Sequence, residues 1–542
     1  MKIERLDHHG IVAGVIDDLG LVSLFDELLG HDEQSEISDG EAIKGMIING
    51  LGFSNQPLTL VPEFFSTLPI ETLFRPGVQA EFFNRHKLGR TLDHISSWGC
   101  ERFFQQAALQ VCSQEKIDLS RRSLDTTSFS VTGNYASSEA EQDDIATVHI
   151  THGYSKARRP DLKQVIQELI VTQDGGIPIL CQLHDGNAND AQIFQTRAQQ
   201  FIKQFQQDNS ESYLVADSKL YTRETAAYLL NIPFVTRIPR SLKLENTLVH
   251  EACHHPEKWE DSSWVGYRYQ VVTHEHYGIK QRWFIYSSEA AQIRAEKKLN
   301  KAVEQEAKRL KKALFHLQAQ RFDSKACAEK AFAAIQKTVR YHDLEISSWT
   351  EKPRYKAKGR PTQQTEADMM LYQIIGEFHQ DTTSIAKQLA YQGCFTLGTN
   401  IDTLSADEVL SIYKKQSSVE QGYRFLKDPL FFTSSFFLKK NSRVAALVTV
   451  MTLALLVYSV AQRRLRQTMA QQQATLPNQI RKPTQNPTLR WIFQCLGGIH
   501  RVVMSSVDGQ TQVLYEGICS LKRRIIQLFG PVVSQIYGIY VT

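Results

Sequence analysis

With 542 residues, 42% hydrophobic and 22% charged, the chain has an ordinary globular composition and length enough for three or four structural units, which excludes a disordered or low-complexity protein. Eight scattered cysteines (100, 112, 181, 253, 327, 394, 495, 519) without a CxxC pair exclude a disulfide framework or a structural zinc site and suit a reducing cytosol. The net charge of +4 is unevenly spread: from Glu420 onward 15 Lys/Arg face 4 Asp/Glu, a net of +11, so the first 419 residues sum to −7 and the basic C-terminal quarter points to a polyanionic, salt-sensitive partner.

The start, MKIERLDHHG, has no cationic region leading into an apolar stretch, so no signal peptide is expected. Residues 1–115 read as a helical domain. Apolar positions recur at helical spacing in GIVAGVIDDLGLVSLFDELLG and in EAIKGMIINGLGF, which Ser38-Asp39-Gly40-Glu41 would cap. A third helix pair spans AEFFNRHKLGRTLDHI and SWGCERFFQQAALQVC. Arg85, His86, Lys87 and Arg90 on a turn allow a helix-turn-helix-like DNA module, and a plain helical dimerisation domain fits the same pattern.

From residue 116 to 240 the period changes. IDLSRRSLDTTSFSVTG, ATVHITHGYS, KQVIQELIVT and, after the turn Asp174-Gly175-Gly176, GIPILCQLHDGN alternate like strands. A helix (QIFQTRAQQFIKQFQ), the short strand Tyr213-Leu214-Val215-Ala216 ending at Asp217, a helix (ETAAYLLN) and a strand (PFVTRIP) complete the segment. Meandering strands followed by βαβ units predict an α/β, ribonuclease-H-like mixed sheet with flanking helices. Residues 241–405 read as an inserted subdomain, β-rich and helical: aromatic strands (WVGYRYQVV, RWFIYS), a long charged helix from about Ala290 to Val339, the basic KPRYKAKGRP, then MLYQIIGEF and GCFTLGTN. Within it His250, Cys253, His254 and His255 match no zinc pattern and read as a solvated loop. Residues 406–465 resume the core and 466–542 form a basic C-terminal region. Val444–Ala461, 18 residues without a charge, reach the lower limit for a bilayer span. Their Thr, Ser and Tyr content and basic flanks instead predict a helix buried at the centre of a large domain, and no membrane partner.

Phosphodiester cleavage with two divalent ions needs carboxylates that converge, because the ions sit about 3.5–4 Å apart. Hard Mg²⁺ takes oxygen ligands and keeps water and phosphate ligands, so two or three carboxylates suffice. Asp125 lies in a strand and Asp217 at the end of another; aspartate is unfavourable in strands, and two are more informative than one. In DEVLSIYKKQSSVEQGYRFLKDP, Tyr413, Gln416, Glu420 and Lys427 form one stripe on a predicted helix, which would aim Glu420 at the ions and Lys427 at phosphate.

That spacing, Tyr-x2-Gln-x3-Glu-x6-Lys, resembles the Tyr-x2-Arg-x3-Glu-x6-Lys signature on the catalytic helix of DDE-class insertion-sequence transposases. SLDTTSFSVTG, GYSKARRPDLKQV, DGNANDAQIF, VADSKLYT and EQGYRFLKDP, with LDHHGIVAGVIDDLG and NRHKLGRTLDHI upstream, resemble one branch of the family in the same order, over most of residues 1–465. The long gap from Asp217 to Glu420 is similar to members with a β-rich insertion there. The resemblance implies that Asp125, Asp217 and Glu420 bind the metal and are catalytic, with Mg²⁺ as the ion and Mn²⁺ able to substitute. It implies that Tyr413 and Lys427 contact DNA near the cleaved phosphate. Gln416 departs from the signature: it keeps a donor but loses the charge and bidentate fork of arginine, and Lys415 and Arg424 are nearby cations off the stripe.

Further candidate phosphate contacts are Tyr154, Lys156, Arg158, Arg159 and Lys163, against the alternative of a solvated turn. Asn187, Asn189 and Asp190 are candidates for support of the site, with Asn189 also a plain helix cap. Some related enzymes stack an insertion tryptophan on a flipped base, and Trp259, Trp264, Trp283 and Trp349 fall in the insertion. The expected activity is cleavage at the terminal inverted repeats of an insertion element and joining of the 3′-OH to target DNA. The expected partners are both DNAs and a second copy of the chain, in the cytoplasm at the nucleoid. A domesticated nuclease or a catalytically silent DNA-binding protein on the same fold are the alternatives.

Overall fold

The computed structural model describes the chain apart from residues 31, 33, 54–56, 133–134, 136–147, 156–158, 190–191, 194–195, 198–199, 201–212, 219–220, 231, 356–366, 429, 432–437, 439, 506–509 and 541–542. A short strand, β1 (Lys2–Arg5), precedes a run of helices to Gln114. Ser38 caps the Asp39–Leu51 helix in a full capping box with Glu41, as its sequence predicts. Lys87, a candidate DNA contact by its position, is instead buried and paired at 2.8 Å with the buried Asp39, which also accepts from Thr91 and His94. A lysine committed to a buried carboxylate is not available to a phosphate.

Among the described residues nine strands form the main sheet: β2 (Arg121–Val131), β3 (Lys163–Thr172), β4 (Pro178–His184), β5 (Tyr213–Ala216), β6 (Phe234–Arg237), β7 (Glu260–Asp261), β8 (Tyr267–His276), β9 (Ile279–Ser288) and, after β10 (His342–Arg354) and β11 (Met369–Gln380), β12 (Cys394–Thr399). Their order is β4-β3-β2-β5-β6-β12-β9-β8-β7. β4, β3 and β2 meander antiparallel, whereas β2, β5 and β6 are parallel. These first five strands have the ribonuclease-H-like order that the sequence predicts. ATVHITHGYS differs: among the described residues it pairs with the sheet only through a Thr151–Gln164 bridge.

Residues 241–405 divide into two parts. β7, β8, β9 and β12 continue the sheet antiparallel beyond β6. The Glu289–Ala319 and Lys325–Gln336 helices and the β10–β11 hairpin pack on each other around Leu310, Leu314, Phe332, Leu344 and Ile374. The expected single long helix is therefore two, because Phe322 leaves the helical path to exchange hydrogen bonds with Tyr372 of β11 and Ser324 caps the second helix. The expected histidine-rich loop is the end of the Lys243–His254 helix, with His250 stacked on Tyr391.

The apolar segment 444–461 lies in the Asn441–Gln471 helix, the one described helix long and apolar enough to cross a membrane, and 94% of that window is buried inside the protein. It is the axis of the largest core, which joins the N-terminal helices, one face of β2–β4 and the C-terminal helices. After the two-residue pair β13 (Leu476–Pro477) and β14 (Pro483–Thr484), the C-terminal β15 (His500–Ser505) and β16 (Thr511–Glu516) complete a three-stranded sheet with β1.

Candidate active site

Strand alternation decides where the carboxylates point. On β2, Leu124 joins the core beneath one face of the sheet with Leu229 and Phe234, whereas Phe129 and Val131 join the core around the long apolar helix. Asp125 shares the parity of Phe129 and so belongs to the second face. On β5, Leu214 and Ala216 face the first core, while Tyr213 and Val215 pack with Val409, Leu410 and Ile412 of the Ala406–Lys415 helix. The same alternation carries Asp217 to the face of Asp125. The parallel registers pair Leu124 with Ala216 and Ala216 with Thr236, so the next residues, Asp125, Asp217 and Arg237, run across three adjacent strands. Thr236 Oγ1 donates to the Asp217 carbonyl at 3.0 Å and holds the end of β5.

Glu420 lies exposed on the Ser417–Leu426 helix, which crosses this face. Tyr423, one turn further on, anchors the helix by donating to the Asp125 carbonyl at 2.7 Å and to the Gln167 carbonyl at 3.2 Å. Tyr413 ties the arrangement together electrostatically. Burial pushes its phenol up, Arg237 draws it down by charge and hydrogen bond, and the charges of Asp217 and Glu420 push it up. Both carboxylates and Arg237 therefore act on the same hydroxyl.

The expected continuous helix is broken at Gln416. Its N–H bonds Tyr413 O and its carbonyl accepts from Val419 N, both one residue tighter than α-helical, and its φ of −57° and ψ of −23° are those of a 3₁₀ turn. Gln416 is buried and its Oε1 has no hydrogen-bond partner among the described residues. Lys427 is the C-cap rather than a mid-helix residue, and its Nζ donates to Thr127 Oγ1 at 2.6 Å on β2, two residues from Asp125.

Among the other candidates, Arg159 is exposed but paired with Asp161 at 2.6 Å, Lys163 donates to the Tyr135 carbonyl, and Tyr154 is exposed. Lys156, Arg158 and Asp190 lie outside the described residues. Asn187 and Asn189 are exposed, and the Asn189 carbonyl accepts the Ile193 N–H at the start of a helix. Lys415 and Arg424 are exposed. Of the tryptophans, Trp283 is fully buried and Trp259 donates to Ala252 O. Trp349 stacks under Lys325. Trp264 is the exposed one, 3.9 Å from Lys414 Nζ, in a loop fastened to Asp407 at the start of the helix pair that carries Glu420.

Arg237 went unnoticed in the sequence. Its signal is a charged residue in PFVTR at the parity of Val235, which is buried against the Tyr413 helix.

Asp125, Asp217 and Glu420 do not close on a single point. Among the described residues the trio whose ligand atoms all lie within 4.8 Å of one another is Glu345, Glu377 and His379, exposed on the β10–β11 hairpin. Three hard carboxylate donors on one sheet face match the needs of Mg²⁺-class cations, and a pair of ions about 3.5–4 Å apart requires ligands spread more widely than a one-ion cage.

Residues 1–109 match a family model described as a domain of unknown function, and residues 117–457 match one described as a transposase DDE domain. No curated protein matches the chain. A solved piggyBac transposase synaptic complex with hairpin DNA aligns over 98% of this chain and 83% of its own at 9% identity and a TM-score of 0.37, a likeness too distant to bear on function. With the matched segment covering more than half of its length, the chain belongs to the transposase DDE domain family.

Proposed function

We propose that this DNA transposase is a Mg²⁺-dependent enzyme that cleaves the ends of its insertion element and joins the freed 3′-OH to target DNA, with Asp125, Asp217 and Glu420 as the metal-binding carboxylates. The observation that carries the reading is the row Asp125, Asp217 and Arg237 across adjacent parallel strands, on the face crossed by the Glu420 helix. When bound, the ions would activate the attacking oxygen and stabilise the leaving one. Hydrolysis and strand joining are both in-line displacements at phosphorus, so one site serves both.

The protein's own part is positioning. Arg237, and Lys427 by exchanging its Thr127 contact for phosphate, would orient the scissile backbone. Tyr413, held by Arg237, would contact the same strand. Arg237 supplies the guanidinium that Gln416 lacks. Trp264, exposed beside Lys414, would stack on a displaced base. Arg424, Lys415 and Arg159 are peripheral phosphate contacts in this reading. Two ends must be held together, so the working unit is at least a dimer on DNA, located with the bacterial-type nucleoid in the cytoplasm.

The test is product analysis with duplexes taken from the gene's own flanks. In Mg²⁺ the protein should give 3′-OH ends and joined products. Cuts without joining would replace the reading by a nuclease, and binding without cutting by a silent DNA-binding protein.

A further inference from the structure

The Glu289–Ala319 helix, 31 residues long, buries Leu299, Val303, Glu306, Leu310, Leu314 and Leu317 along one line. At about 100° per residue, Arg294, Lys297, Lys298, Lys301, Lys308 and Lys312 fall within about 100° of arc on nearly the opposite side. All six are exposed, and no carboxylate among the described residues lies within 4.0 Å of any of them. Between Arg294 and Lys312 the one further residue on that arc, Gln305, is neutral. Arg309, off the arc, behaves differently: it pairs with Glu306 and donates to Thr338 O, so it serves the fold.

A solvated helix ordinarily interleaves the two signs at i,i+4, which supports it at no cost to solubility. Here only Glu304, exposed just beyond the edge of the arc, stands i,i+4 to a member of the row (Lys308), and the arc itself carries no carboxylate. The hairpin that covers the apolar face turns Leu344 and Ile374 toward the helix. By strand alternation it carries Glu345 and Glu377 on the side away from it, where both are exposed. Cations therefore line the outer face of the helix and Glu345 and Glu377 the outer face of the hairpin. The cationic row runs about 27 Å from Arg294 to Lys312, the length of roughly eight base pairs of duplex. Its first member lies close enough to Tyr267 to affect that phenol electrostatically, and Tyr267 shares Lys414 with the exposed Trp264. The row thus begins beside the Glu420 helix pair and leads away from it.

We propose that this ridge docks the sugar–phosphate backbone of duplex DNA at a distance from the reacting phosphate. The proposal rests on the DNA transposase reading and adds a second DNA-binding surface to it. Its chemistry is charge neutralisation without base readout, so it is independent of sequence and releases counterions.

The experiment uses the full chain with Lys298, Lys301, Lys308 and Lys312 changed together to Gln, beside the same four changed to Arg. Affinity is measured against salt for an element-end duplex and for an unrelated duplex serving as target. The Gln variant should bind at least about tenfold more weakly at moderate salt, and its log–log salt slope should be shallower by about three to four, near 0.9 for each phosphate no longer neutralised. The Arg variant should match wild type. Weakening confined to the element end assigns the ridge to that DNA, and weakening confined to the unrelated duplex assigns it to target. Wild-type slopes and affinities for both duplexes in the Gln variant would overturn the proposal. Because the four side chains lie opposite the apolar face, thermal melting should be unchanged, which separates weakened docking from unfolding. Cleavage of a short end duplex by wild type tests the transposase reading separately.

Discussion

At the scale of single residues, the site combines what the sequence displays with what only the sheet reveals. Arg237 is the clearest case of the second kind. A charge-assisted hydrogen bond contributes about 1.5–3 kcal/mol, so Arg237→Gln should slow strand cleavage about 10- to 100-fold without lowering the melting temperature. Arg237→Lys should recover only part of that, because lysine lacks the planar fork. Cleavage unaffected by Arg237→Gln would remove the residue from the site. Trp264→Ala should weaken binding to element ends by about 1–3 kcal/mol, or roughly 5- to 150-fold, as expected for one base stacked on an aromatic ring, and should leave binding to unrelated duplex alone. Titration with both duplexes measures it. Asp125 and Asp217 stand out in the sequence as aspartates in or at the end of strands, and the sheet register sets them side by side, whereas the continuous helix expected from Tyr413 to Glu420 is broken at Gln416. Arg237 was not legible, since a charged residue closing a buried strand has no meaning until the strand's neighbours are known. The spacing around Gln416 also concealed the tight turn, because a 3₁₀ step and an α step look alike over one residue.

At the scale of elements, the ribonuclease-H-like order was readable from alternation and turns, whereas the continuation of the sheet through β12, β9, β8 and β7 was not. Pairing between β6 and β12 joins segments about 160 residues apart, and local patterns carry no such information. One buried cluster fixes the opposite face of β3. Glu168 accepts from Arg197 at 2.6 Å and from His184 at 2.9 Å. Burial raises the Glu168 carboxyl, but these hydrogen bonds and charges outweigh it, so its pKa lies below the ordinary 4.5. A carboxyl lowered on folding stabilises the protein fully above its unfolded value and loses that contribution as pH falls through the folded one. Stability measured by urea unfolding should therefore decline as pH drops below about 4.5, and Glu168→Gln should show a shallower decline. Equal slopes would show that the pair is not linked to folding. Arg197→Ala at neutral pH leaves a buried carboxylate with only His184 and should cost about 3–5 kcal/mol.

At the scale of the whole molecule, the basic C-terminal quarter has a partner that composition could not reveal, namely the acidic N-terminal part of the same chain. Arg443 pairs with Asp93, Arg463 with Asp174, Arg464 with Asp18 and Glu115, and Arg501 with Glu4. Part of the +11 is thus used inside the fold, and the exposed cation row lies in the insertion. The ends of the chain also interlock: β1 pairs with β15, and a Cβ at Gly10 would sit 2.7 Å from Tyr537. Gly10→Val should cost about 1–3 kcal/mol through overpacking, read as a lower melting temperature. The account nevertheless stands on the three carboxylates. The most direct measurement is the rate of Mg²⁺-dependent cleavage of an element-end duplex by Asp125→Asn, Asp217→Asn and Glu420→Gln, each checked for an unchanged melt. Removing metal-borne stabilisation of several kcal/mol predicts a fall of at least about a thousandfold for every one of them. Full cleavage by any folded variant of the three would contradict the assignment.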